Sequence, residues 1–148
     1  MTDELVAFIH ARLDEDETVA RAAAMDSNNR GEWTQVDPDR CPGAVNDADG
    51  VVVVYDEGSP DVREAAHIAR FDPARALRGV GAKRRILVAL NTWEHARLYD
   101  GTDENAGPYS CTRDGLTCEC GVLDHQLDVL RPMASVWSTY PDYREEWP

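Results

Sequence analysis

The chain has 148 residues, of which 43% are hydrophobic and 29% charged, and it carries a net charge of −13. That length suits a single globular domain over residues 1–148 with a core of its own, and that hydrophobic content excludes a disordered chain. The excess of acids opposes nonspecific binding to DNA, RNA or anionic membranes, which repel the same sign of charge, and suits a protein partner with basic character.

The first seventeen residues, MTDELVAFIHARLDEDE, carry acids throughout and lack the apolar core and small-residue cleavage site of a secretory signal. No run reaches the length of a membrane span. The expected location is the cytoplasm, where Cys41, Cys111, Cys118 and Cys120 are reduced thiols or metal ligands rather than disulfides.

An amphipathic helix is expected over residues 3–24. Leu5, Phe8, Ile9, Leu13 and Ala20 share one face, with Asp14, Glu15, Thr18 and Arg21 largely opposite. The run Asp14 to Glu17 points in four directions around such a helix, so it reads as a solvated face and not as a carboxylate site. Residues 25–50 are rich in Asp, Asn, Gly and Pro, as loops are. Within them residues 32–36 alternate as a short strand does, and Gly50 to Tyr55 form a β-branched apolar run, the clearest strand in the chain. The two are expected to pair antiparallel across residues 37–49, a stretch long enough to hide a third strand.

Residues 61–99 read as two helices hinged at Phe71, Asp72 and Pro73. Proline disfavours helical geometry in the residue before it and fits the first turn of the next helix, which makes Asp72 an N-cap. Ser59, Pro60 and Asp61 repeat the pattern, with Ser59 as the expected cap. In the second helix Ala76, Val80, Leu87, Leu90 and Leu98 fall on one arc that should face a core. Gly79 and Gly81 suggest close packing or a bend, because each weakens a helix by up to roughly 1 kcal/mol relative to Ala. A final helix is expected over residues 123–140, kinked at Pro132 or starting near Val129, with Leu123, Leu127, Leu130, Ala134 and Trp137 on one stripe. Trp93 and Trp137 are the expected large core fillers. Trp147, in the tail 141–148, is expected to fold back onto the body.

Four stretches carry a resemblance: LVAFIHARLDEDE at 5–17, HIARFDPAR at 67–75, KRRIL at 83–87 and YPDYREEW at 140–147. Together they resemble a family of small proteins of unknown function found in actinobacteria, notably Streptomyces, and in their phages. The resemblance implies such an origin, and a variable segment between the basic run and the tail where relatives carry Cys and His. It implies no activity. The chain departs from the family pattern at Phe71, where His is common, and at Gly81 and Pro132.

Two candidate sites emerge from the residues. The loop 100–121 and its flank hold Cys111, Cys118, Cys120 and His125, nitrogen and sulfur ligands of the type that close a tetrahedral structural zinc site. His95 or Cys41 are the alternative fourth ligands. The Cys-x-Cys spacing is less specific than a paired Cys-x-x-Cys. The second candidate is an interaction cluster at the helix corner. There His67 and Arg70 lie three apart, with Asp72 placed to pair with Arg70. A Cys and His nucleophilic pair needs a geometry that sequence does not supply, and no catalytic or cofactor-binding residue is assigned.

The fold class expected is α+β, about four helices packed on a small antiparallel sheet. The function expected is that of a non-enzymatic cytoplasmic accessory protein that binds an unidentified protein partner and neither nucleic acid nor membrane, with zinc as the one cofactor candidate. The alternatives are an acidic inhibitor that mimics nucleic-acid charge and a metal- or thiol-dependent enzyme.

Overall fold

The computed structural model describes residues 2–25, 30–58, 60–91 and 122–147. Seven elements follow in the order α1 (Thr2–Ala23), β1 (Trp33–Gln35), β2 (Val45–Asp47), β3 (Val52–Val54), α2 (Val62–Arg70), α3 (Pro73–Asn91) and α4 (Val122–Ser135). The fold class is α+β, with four helices and one three-stranded antiparallel sheet among the described residues. The chain divides into two compact units: Leu13–Lys83, and Met1–Arg12 together with Arg84–Pro148.

The periodicity of α1 is realised throughout its length. Leu5, Phe8, Ile9, Leu13 and Ala20 are buried, while Asp14, Glu15, Thr18 and Arg21 are exposed. A buried side chain of the Leu or Ile type stabilises by about 1.5–3 kcal/mol, so this stripe outweighs the weak contributions of the charged face. On that face Arg21 pairs with Glu17 one turn away, at 2.6 Å.

In the unit Leu13–Lys83 the strand order is β1-β2-β3. Residues 33–35 and 52–54 do form strands, but they do not pair with each other. The third strand, Val45–Asp47, lies between them, with Trp33 opposite Asp47 and Val45 opposite Val54. The turn joining β2 to β3 is built by Asp47. Its carboxylate accepts the N–H groups of Asp49 at 3.0 Å and Val51 at 2.8 Å, and Gly50 takes the positive φ of 79° that a side chain would strain. The register shifts between Val45 and Asn46, which leaves Val53 as a bulge on β3. Bulge and flanking acids together blunt this edge, although Val52 and Val53 are exposed. On the other side α2 packs against β1 and β2, burying Val45 and Ala65.

The cap of α2 is Asp61, not Ser59. Its carboxylate accepts the N–H groups of Arg63 and Glu64, and the Glu64 side chain accepts the Asp61 N–H at 2.7 Å, closing a capping box. Pro60 therefore precedes the helix instead of opening it, because the side chain that reaches the free N–H groups decides the start. The hinge at residues 71–73 is present: α2 ends at Arg70 and α3 begins at Pro73. Val80, Leu87 and Leu90 are buried, whereas Ala76 is exposed. Gly79 is not packed closely, for a Cβ there would meet nothing within 4 Å.

In the other unit, α4 passes through Pro132 and stops at Ser135, five residues before the expected end. The chain tightens there into successive i to i+3 bonds, including Trp137 N to Ala134 O and Tyr140 N to Trp137 O. Leu127, Leu130, Ala134 and Trp137 are buried as expected. Trp147 is 3% exposed and stacks on Phe8 at 5.1 Å, so the tail does fold back. Trp93 and Leu98 lie outside the described residues.

Candidate interaction surface at the α2–α3 corner

The corner owes its geometry to Asp72. Its Oδ1 accepts the N–H of Arg75 at 2.6 Å, capping α3, and its Oδ2 accepts the N–H of Trp33 at 3.3 Å. Ala74 N donates to Gly31 O at 2.9 Å, a second backbone tie beside it. With both carboxylate oxygens engaged and the residue buried, Asp72 stands apart from the exposed His67 and Arg70. The three sequence candidates therefore divide: Asp72 builds the corner, and the other two decorate its outside.

Phe71 completes that outside. The chain has two phenylalanines. Phe8 is buried, whereas Phe71 is 53% exposed. The His67 ring lies 4.5 Å from the Phe71 ring with the planes tilted by 34°, and the Arg75 guanidinium carbon stands 4.5 Å from the Phe71 centroid. Helical spacing explains the first contact, since Phe71 N still bonds to His67 O one turn back, whereas the second is made across the hinge. A cation over an exposed ring is worth about 0.5–1 kcal/mol, which biases the ring toward this posture. Sequence reasoning placed His67 in the interaction cluster but not Phe71 or Arg75. The legible signal was the His-x3-Phe spacing at the end of α2.

Of the six zinc candidates, two, Cys41 and His125, fall among the described residues. Cys111, Cys118, Cys120 and His95 lie outside them. His125 is exposed on the first turns of α4, and Cys41 is a half-buried free thiol in the other unit. Among the described residues no three His, Cys, Asp or Glu side chains are grouped to hold a metal ion.

A cleft of about 370 Å³ opens in the unit that contains α4, lined among the described residues by Leu87, Leu90 and Leu130, with Asp3, His10 and Gln126 as polar members. Gln126 donates to the carbonyl of Leu90 at 2.9 Å and is thereby engaged. Asp3 and His10 are seven residues apart on one helix, about 10 Å along its axis, too far to act on one atom together. The cleft thus lacks the convergent polar groups of an active site among the described residues.

Two carboxylates are held below their ordinary range in the unit Leu13–Lys83. Burial pushes Asp47 up, but the N–H of Val51, the Arg30 guanidinium at 3.0 Å and the N–H of Asp49 outweigh it. Asp61 is lowered chiefly by the N–H of Glu64, with Arg63 adding to it. Both serve turns and caps.

No helix among the described residues is long and apolar enough to cross a membrane. These observations define a class: a small α+β protein whose exposed feature of note is an aromatic and cationic corner. The chain belongs to a family of unknown function, DUF6221, whose model matches residues 2–148. No curated protein and no solved structure matches it.

Proposed function

We propose that this chain is a non-enzymatic accessory protein of the cytoplasm that acts by binding another protein through the α2–α3 corner. The observation that carries this reading is the exposure of Phe71, clamped between His67 and Arg75. An exposed aromatic ring offers apolar area to a partner, and Arg and aromatic side chains dominate the energetics of protein interfaces. The half-buried free thiol of Cys41 fits a reducing compartment. A zinc ion clamping the loop 100–121 through Cys111, Cys118 and Cys120, with His125 as the fourth ligand, belongs to the same reading as a structural element.

The test is capture from lysate of the cells that make the protein, comparing the wild type with Phe71→Ala and with Val19→Ala. Val19 is exposed on α1, remote in sequence from the corner. A protein retained by the wild type and by Val19→Ala, but lost with Phe71→Ala, supports the corner as the interface. Identical capture by all three rejects it.

A further inference from the structure

The charge of this protein is segregated along the chain. Residues 62–91, which span α2 and α3, hold seven of the fifteen Lys and Arg but two of the twenty-eight acids, Glu64 and Asp72. That segment is therefore +5 in a chain of −13, which leaves −18 for the remainder. Asp72 is buried and bonded to backbone N–H groups, so it offers little to the surface.

Arg70, Arg75 and Arg78 are all exposed and lie within seven residues of Phe71 in the chain. Arg75 and Arg78 lie three apart on α3, on neighbouring turns of one side, and the Arg75 side chain reaches the carbonyl of Arg70 at 3.5 Å. The Arg75 guanidinium thus stands over an exposed apolar ring, with exposed Arg70 beside that ring in sequence and exposed Arg78 one turn further along α3, and guanidinium groups present planar donors suited to carboxylates. From this arrangement we infer that the corner takes a short acidic segment of a partner protein, with carboxylates on Arg70, Arg75 and Arg78 and an apolar side chain on Phe71. The inference rests on the corner being an interface and names the partner's chemistry.

A short peptide is favoured over nucleic acid by range. Fields are screened within about 10 Å at roughly 0.1 M salt, so a short acidic segment feels mainly the local positive groups. A polynucleotide extends beyond that range, and a chain of −13 as a whole repels it. The exposed ring could stack on a base, which makes an oligonucleotide the necessary control.

The probe is the fluorescent peptide Glu-Asp-Leu-Glu-Asp-Leu-Glu-Asp, titrated against the full-length protein by anisotropy, beside a version with Ser at the acidic positions and a single-stranded oligothymidine of similar length. The expected result is binding of the acidic peptide that weakens as salt rises. Replacing Arg70, Arg75 and Arg78 together by Ala should weaken it about tenfold or more, and the triple Lys variant, which keeps the charge but not the planar donors, should bind between that variant and the wild type. Phe71→Ala should weaken it by a smaller factor. All the altered side chains are exposed, and matching circular dichroism melts confirm that each variant is folded. Equal binding of the Ser peptide, tighter binding of the oligothymidine, or indifference to the triple Ala variant would each overturn the inference. If Phe71→Ala abolishes capture from lysate while the triple Ala variant leaves both capture and peptide binding unchanged, the interface stands and the acidic partner falls.

Discussion

The backbone N–H of Trp33 donates to Oδ2 of Asp72 at 3.3 Å, joining the first strand to the hinge between α2 and α3 across 39 residues of chain. The same carboxylate caps α3 through Arg75 N at 2.6 Å. One side chain therefore fixes the angle at which the sheet meets the corner that displays Phe71. Replacing Asp72 by Ala strips two partly buried N–H groups of their acceptor. The expected loss is about 2–3 kcal/mol, from one helix cap and one hydrogen bond to a charged acceptor. Asp72→Asn keeps an acceptor oxygen and should lose less. Urea unfolding measures both, and an Ala variant within about 0.5 kcal/mol of wild type, as ordinary surface changes are, would show that the joint carries no weight.

The glycines supply a paired test. At Gly43 a Cβ would stand 2.5 Å from the carbonyl oxygen of Pro60, a backbone atom that cannot swing aside. At Gly79, inside α3, a Cβ would meet nothing. Gly79→Ala should stabilise by about 0.5–1 kcal/mol, because alanine restricts the unfolded chain and favours the helix. Gly43→Ala should lower the melting temperature. Opposite shifts in one thermal unfolding series are the expected outcome, and a loss at Gly79 would mean that the helix surface there is covered.

Much of this architecture is legible in the sequence where a local rule decides. The α1 stripe, the Asp72 cap and the Pro73 helix start each depend on residues within a turn or two of one another. The middle strand is not legible in that way. The stretch 37–49 shows room for a third strand but does not mark Val45, Asn46 and Asp47 as that strand, because an acid in a buried strand position makes sense only once Arg30, seventeen residues upstream, pairs with it. The Ser59 cap fails for a related reason: Asp61 has a glutamate three positions on, and the reciprocal box outcompetes a lone serine. The interaction site is half legible. His67 and Arg70 stand out by type, whereas the exposure of Phe71 follows from its place at the outside of a bend, which is a tertiary property.

Trp147 shows a different balance. It is 3% exposed, packs on Phe8 and Tyr143, and yet its indole N–H is buried with no acceptor among the described residues. An unmet buried donor is costly, so the packing must outweigh it. Trp147→Ala should therefore cost about 3–5 kcal/mol, while Trp147→Phe removes the orphan donor with part of the volume and should cost well under half as much. Chemical denaturation followed by circular dichroism separates the two. Equal losses would mean that the indole nitrogen is in fact bonded in solution.

Zinc is tested by removal. Protein purified without chelator should carry close to one zinc per chain, and Cys118→Ser with Cys120→Ser should lose it, since thiolate ligands are what hold a structural site. Chelation should then lower the melting temperature of the wild type but not of the double variant. Metal-free wild type with unchanged stability would leave the cysteines as plain thiols.

Acid unfolding should be shaped in part by Asp47 and Asp61. Both are held below their ordinary value of 3.8 in the folded chain, Asp47 by N–H groups and Arg30 that outweigh its burial, Asp61 by the N–H of Glu64 first and then by Arg63. A carboxylate whose folded value is depressed contributes stability that is present above its unfolded value and is lost as pH falls through the folded one. From neutral pH down to the carboxylate range, by contrast, protonation of other acids relieves the repulsion within a chain of −13 and works in the opposite direction. Wild type should accordingly hold or gain stability on mild acidification and lose it steeply below about pH 3.8. Asn at position 47 keeps the shape of the side chain but not its charge, so Asp47→Asn should be less stable than wild type at neutral pH, and the gap should close in the acid limb. Urea midpoints measured across that range read the gap directly, and one that stays constant with pH would show that the charge on Asp47 does not stabilise the turn.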